Sequence, residues 1–102
     1  MVEAEIYKAL GDPVRLEMVK RLSAGAANTI GELSADLGIS RQGARKQLQV
    51  LLDANIVHLA RKGRESRVTL DTRTLEIARA FIVQLENEWD ARLEALKEFV
   101  ER

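Results

Sequence analysis

TIGELSADLGISRQGARKQLQVLLDAN, residues Thr29–Asn55, holds two helical patterns with almost nothing between them. Thr29-Ile30-Gly31-Glu32 has the spacing of a capping box, in which a threonine caps the helix and a glutamate three residues on reaches back. A short helix is expected from there, ending at Leu37-Gly38. Only Gly38 and Ile39 then precede Ser40, a second N-cap residue, and the next helix is expected from Arg41 to about Ala54. Ala44, Leu48, Leu51 and Leu52 recur at helical spacing and turn inward, while Asn55 suits the left-handed conformation that stops a helix. Burying that face leaves Arg41, Gln42, Arg45, Lys46 and Gln49 outside, with no acid before Asp53. A plain helical hairpin would share the turn, but a merely solvated face more often mixes signs. Arginine forks match guanine edges and glutamine amides match adenine edges, while lysine serves phosphates. The pattern therefore reads as DNA recognition. Gly43, inside the helix at a cost of about 1 kcal/mol, either lets the helix approach a groove or is simply tolerated.

The flanks extend the pattern. Gly11-Asp12-Pro13 supplies a helix stop, an N-cap and a proline at the first helical position. One helix should end near Leu10, with Ile6 and Leu10 inward, and another should run from Pro13 to about Ala24 with Leu16, Val19 and Leu22 inward. Residues 25–28 read as a loop. Downstream, Val57–Arg61 and Ser66–Leu70 alternate with period two around a Lys62-Gly63-Arg64-Glu65 turn, which predicts a hairpin. From about Thr72 to Glu101 there is no glycine or proline, and one long helix is expected.

The chain has 102 residues, 46% hydrophobic and 31% charged, which fits one small domain. The expected parts are a helix-turn-helix over about 30–54, a hairpin over about 57–70 and a last helix over about 72–101. With no cysteine, disulfides, thiolate metal sites and cysteine nucleophiles are excluded. No signal-peptide run or membrane span is evident, so a cytoplasmic location is expected. Sixteen basic and sixteen acidic residues cancel overall, but not by region. Residues 1–39 carry −2, residues 40–70 carry +5 and residues 71–102 carry −3. The central block includes Arg61, Lys62, Arg64 and Arg67 in the hairpin, placed to straddle phosphates or enter a minor groove. Alone, such charges would more readily be read as protection of a strand edge.

Several blocks in order resemble the ArsR/SmtB family of bacterial winged helix-turn-helix repressors. They are Ala9-Leu10-Gly11-Asp12-Pro13-Val14-Arg15-Leu16, Ile30-Gly31-Glu32-Leu33 with Leu37-Gly38-Ile39-Ser40-Arg41-Gln42, and Leu48 through Val57. Arg61-Lys62-Gly63-Arg64 occupies the wing position. The resemblance implies a mainly α fold with a small β-hairpin, in the order α-α-α-α-β-β-α, dimerised through the first and last helices. It also implies a homodimeric repressor on an inverted-repeat operator. Ser40, Arg41, Gln42, Arg45, Lys46 and Gln49 would contact DNA from the recognition helix, and Arg61, Lys62, Arg64 and Arg67 from the wing. Asn55 stands where a glycine is usual, Glu32–Leu37 lacks the cysteines of metal-sensing members, and the ending Trp89-Asp90-Ala91-Arg92-Leu93-Glu94-Ala95-Leu96 resembles a non-metal-sensing branch.

In the last helix Leu75, Ile82, Trp89 and Leu96 recur every seven residues, followed three places on by Ala78, Leu85, Arg92 and Phe99. This is an a/d seam interrupted by Arg92. About 29 helical residues span about 43 Å, more than a small winged domain covers, so a second copy is the expected partner. Ile6, Leu75, Ala78, Ile82, Leu85, Trp89 and Leu96 are the expected interface, with Phe81, Leu93 and Val100 widening the stripe toward the first helix. An unidentified small-molecule effector near Trp89 and Phe81 is compatible with an apolar seam, although such aromatics more often form core. Asp90, Glu94 and the single histidine, His58, make a poor metal site, so no metal or cofactor is expected. No catalytic motif is present, and no enzyme is expected. The competing reading is a winged-helix module that dimerises and binds protein without specific DNA binding; the +5 block disfavours it.

Overall fold

The computed structural model describes residues 2–25 and 27–101. Along them run α1 (Val2–Leu10), α2 (Pro13–Ser23), α3 (Ile30–Ser34), α4 (Arg41–Asp53), β1 (Val57–Lys62), β2 (Glu65–Leu70) and α5 (Thr72–Glu101). Helix starts fall where the capping residues put them. Asp12 Oδ1 accepts the N–H groups of Val14 and Arg15 at 2.8 and 3.2 Å, with Pro13 at the first position. Thr29 and Glu32 complete the reciprocal box, and Ser40 Oγ accepts the Gly43 N–H at 2.9 Å. Asn55, at φ 59°, ends α4 in the left-handed region, as its short polar side chain allows.

Two expectations need correction. The short helix stops at Ser34, three residues before Leu37. Arg21 Nη1 donates to the carbonyls of Glu32, Leu33 and Ala35 at 3.2, 3.2 and 2.7 Å, taking acceptors that a further helical turn would use. Asp36 then turns left-handed at φ 61° and Gly38 at φ 70°, which swings the chain into α4. In α2 the deepest side chain is Met18, while Leu16 lies round the far side of the helix and is 40% exposed. Val14, Met18 and Leu22, four apart, set that inner face. Of the loop expected over 25–28, Ala26 lies outside the described residues.

One core joins all the elements: Ile6 and Ala9 from α1, Met18 from α2, Leu33 from α3, Ala44, Leu48 and Leu51 from α4, Val57 and Val68 from the hairpin, and Ala78 from α5. The two strands pair antiparallel from Val57↔Leu70 to Lys62↔Glu65, so the tip is the two-residue turn Gly63-Arg64 with Gly63 at φ 65°. Val68 N–H donates to Asn28 O at 2.7 Å, tying the chain ahead of α3 to the outer edge of β2. Arg15 acts as a bracket. Its Nε and Nη2 donate to the carbonyls of Ala9 and Lys8 at the end of α1, and its Nη1 donates to Gln47 Oε1 on α4 at 2.7 Å.

The molecule measures 68 × 27 × 25 Å, with a radius of gyration of 18.4 Å against about 13 Å for a compact chain of this length. The excess is α5, whose 30 residues extend about 45 Å. Its first turns pack on α1, where the Tyr7 hydroxyl donates to Ala78 O and the Tyr7 and Phe81 rings lie 5.9 Å apart. From Arg79 to Glu101 every residue is exposed. No helix of the described residues is long and apolar enough to cross a membrane.

Candidate nucleic-acid interface

The pattern of α4 divides it cleanly. Ala44, Leu48 and Leu51 are buried, which fixes the rotation of the helix. Gln42, Arg45, Lys46 and Gln49, spaced i, i+3, i+4 and i+7, then form one outward stripe about 10 Å long. Arg41 and Ser40 are exposed at the start of the helix, and the Ser40 hydroxyl keeps its own proton to donate while accepting from Gly43. Among the described residues, no carboxylate lies within 4 Å of the charged groups of Arg41, Arg45 or Lys46. Gln49 is the engaged member: its amide donates to Asp53 Oδ1 at 2.8 Å. Gly43 is the third residue of the helix, and its N–H is the one that the Ser40 hydroxyl accepts. A Cβ there would stand 3.2 Å from Ser40 Oγ, a tight contact that a small shift of the hydroxyl would relieve.

In the hairpin, Arg61, Lys62 and Arg64 are exposed at and beside the tip. Arg61 Nε makes only a long contact of 3.4 Å with Gly63 O. Arg67 is placed differently from the other three. It is half-buried, its Nη2 pairs with Glu65 at 3.1 Å, and its Nε is buried without a partner. Arg67 thus sits between the hairpin and the start of α3, on a polar recess shared with Asn28, Thr29 and Glu32. Glu32 has its carboxyl held below the usual glutamate value, chiefly by the Thr29 hydroxyl, then by the Asn28 and Thr29 N–H groups, and least by the Arg67 charge.

The residues expected at a second-copy interface divide in two. Ile6 is 0% exposed and Ala78 nearly as buried, both inside the α1–α5 contact of their own chain, and Leu75 is half-buried there. Ile6 therefore has no surface left to offer a partner, and its placement at an interface is corrected to the core. Ile82, Leu85, Trp89 and Leu96 stand exposed along the bare part of α5. Phe81 meets α1 as expected, whereas Leu93 and Val100 remain exposed.

The sequence reading missed the junction of wing and last helix. Asp71 Oδ1 accepts the N–H groups of Arg73 and Thr74 as the cap of α5, and Asp71 Oδ2 meets His58 Nε2 at 2.7 Å. The His58 bond is the first cause holding the Asp71 carboxyl below its ordinary value, with the two backbone donors and the Arg73 charge adding to it against the opposing effect of burial. An aspartate just before Thr72 was the signal. Among the described residues, no group of three or more His, Cys, Asp or Glu side chains could hold a metal ion.

Tight-turned helices with an outward cationic stripe, followed by a basic hairpin and a long helix, define a winged helix-turn-helix protein. A helix-turn-helix domain family matches residues 10–60, half of the chain. An uncharacterized helix-turn-helix-type transcriptional regulator, YuzN of Bacillus subtilis (strain 168), is 42% identical over 65 residues, 58% of this chain and 71% of that protein. An ArsR-like transcriptional regulator from Rhodococcus sp. RHA1 superposes with a TM-score of 0.81 at 30% identity, covering 96% of this chain and 92% of its own. The transcriptional repressor BigR from Xylella fastidiosa superposes with a TM-score of 0.59 at 28% identity, covering 78% and 82%. The chain belongs to the ArsR family of helix-turn-helix transcriptional regulators, and it is a DNA-binding regulator of transcription. Fold and family are those of regulators, not of catalysts.

Proposed function

We propose that the protein is a homodimeric repressor that binds an inverted-repeat operator, in the cytoplasm, as a single domain over residues 1–102. The recognition helix, about 41–54, enters the major groove through Gln42, Arg45, Lys46 and Gln49, with Ser40 and Arg41 on phosphate at its start. The wing, over about 61–67, places Arg61, Lys62 and Arg64 on the flanking backbone, and Arg67 joins them only by leaving Glu65. The observation that carries this reading is the stripe on α4, four readers of base edge and phosphate on one face. Repression rather than activation is supported by the likeness to the Xylella repressor. Dimerisation is supported by the bare apolar face of α5, where Trp89 is 59% and Phe99 73% exposed. A branch that senses no metal is supported by the absence of cysteine and by a lone histidine already bonded to Asp71.

Fluorescence anisotropy tests the reading directly. A duplex from the chain's own upstream region is compared with a scrambled duplex of equal length at physiological salt. Preference by about three orders of magnitude is the expected result for a specific regulator. No binding to either duplex, even at low salt, would overturn it in favour of a protein-binding module.

A further inference from the structure

We propose that Asp53 sets the base preference of α4 by fixing the amide of Gln49, so that Gln49 selects adenine over guanine. This rests on the reading of α4 as the helix that enters the groove. The two residues lie one turn apart on the outward stripe, both exposed, joined from Gln49 Nε2 to Asp53 Oδ1 at 2.8 Å. Among the described residues no cation comes within 4 Å of the Asp53 carboxylate, so nothing competes with the amide for it.

The chemistry of the pair removes one ambiguity. A carboxylate only accepts, so the amide end that faces Asp53 is the nitrogen end. The nitrogen is then held toward the C-terminal end of α4, and the carbonyl oxygen and the second N–H are presented in one fixed order. An untethered glutamine turns its amide over and offers either order as the base demands. Adenine shows a donor, N6, beside an acceptor, N7, and a glutamine matches the two with its carbonyl and one N–H. Guanine carries O6 where adenine has N6, so the fixed carbonyl of Gln49 would meet another carbonyl. Asp53 is thus a positioning residue and Gln49 the reader. The competing role is a brace within the helix, since a glutamine–aspartate pair at this spacing also steadies an isolated helix slightly.

Selection of the full chain against a library of randomised duplexes, followed by competition between the selected duplex and its single-base-pair variants, separates the two roles. Wild type is expected to favour adenine over guanine by about fivefold or more at one position of each half-site. Asp53→Ala and Gln49→Ala should each erase that preference to within twofold there and leave other positions unchanged. The double variant should lose no more than either single one, and Asp53→Glu, still an acceptor, should restore the preference. An unchanged adenine preference in Asp53→Ala, with only a uniform gain in affinity from the lost negative charge, would overturn the proposal and leave the brace. A wild-type chain that selects no sequence at all would instead refute the reading of α4 itself.

Discussion

Truncation of Trp89 to alanine tests whether the bare face of α5 is made for a second copy. Trp89 is 59% exposed, stands midway along that face and lies outside the core. A tryptophan side chain buries about 150–250 Å² when enclosed, so truncation removes roughly 100 Å² of the apolar area still free to be covered. At about 25 cal/mol per Å² this is about 2.5 kcal/mol per chain. A two-fold interface uses each residue twice, which makes about 5 kcal/mol per dimer and weakens the dimer dissociation constant by three to four orders of magnitude. Sedimentation equilibrium across nanomolar to hundred-micromolar chain measures the shift, and far-ultraviolet circular dichroism checks that helix content is kept. Because Trp89 is the only tryptophan, wild-type emission on dilution gives an independent reading of the same equilibrium. A dissociation constant within tenfold of wild type would refute the reasoning and leave α5 a helix that needs no partner at this point.

Arg45→Ala should weaken binding to the selected duplex by about 1–3 kcal/mol and relax base preference, whereas Arg64→Ala should weaken selected and scrambled duplexes alike and flatten the salt slope by about one; equal losses on both duplexes for both variants would count against the division between helix and wing. Arg15→Ala should cost about 1–3 kcal/mol in urea unfolding, since the carbonyls of Lys8 and Ala9 and the Gln47 amide lose their shared donor, and Arg15→Lys should recover only part of it. Asp71 contributes stability that is complete above the ordinary aspartate value of 3.8 and is lost as pH falls through its lowered folded value, because the protonated acid no longer serves His58 and the α5 cap as an anion. Urea midpoints between pH 6 and 2.5 should therefore fall less steeply for Asp71→Asn than for wild type, and parallel curves would contradict the role given to this pair.

Much of this fold was legible because its boundaries are written in side chains that act locally. Asp12, Thr29 and Ser40 each accept from backbone two or three residues away, so their spacing alone locates three helix starts. The hairpin was legible for a similar reason, as period two on both sides of Gly63 leaves one register. What escaped were long-range bonds. Arg21 ends α3 from 11 to 14 residues away, and nothing near Leu37 foretells it. Arg15 reaches α4 across 32 positions. Leu16 was misplaced because it is apolar and α2 is short, so a face could be drawn through it that Met18 and Val14 in fact occupy. Ile6 was put at an interface for the opposite reason: apolar pattern does not say whether a face is covered from within or by a second chain. The stripe on α4 was legible once its buried side was, since a helix pinned by Leu48 and Leu51 has one outward face. Arg67 looked like its neighbours in sequence, but it stands back from the tip, opposite Ala60, where it meets Glu65 and the start of α3.

The zero net charge hides an uneven distribution, −2 over residues 1–39, +5 over 40–70 and −3 over 71–102. Arg15 and Arg21 spend their guanidinium groups on backbone carbonyls, whereas, among the described residues, Arg41, Arg45 and Lys46 on α4 and Arg61, Lys62 and Arg64 at the hairpin tip have no carboxylate within 4 Å. Exposed charges act over about 8 Å at physiological salt, so a chain with no net charge gains little from long-range attraction to DNA. Affinity must then come from contacts made within the groove and on its rims. If Arg41, Lys46, Arg61, Lys62 and Arg64 of two chains each meet a phosphate, about ten counterions are displaced, and log K should fall against log salt with a slope of about −9 on the selected duplex. Scrambled DNA, which engages the stripe only in part, should give a shallower slope. A slope no steeper than about −3 on the selected duplex would mean that the hairpin stays off the DNA, and that the wing's charges serve only to keep its strand edge from pairing with another chain.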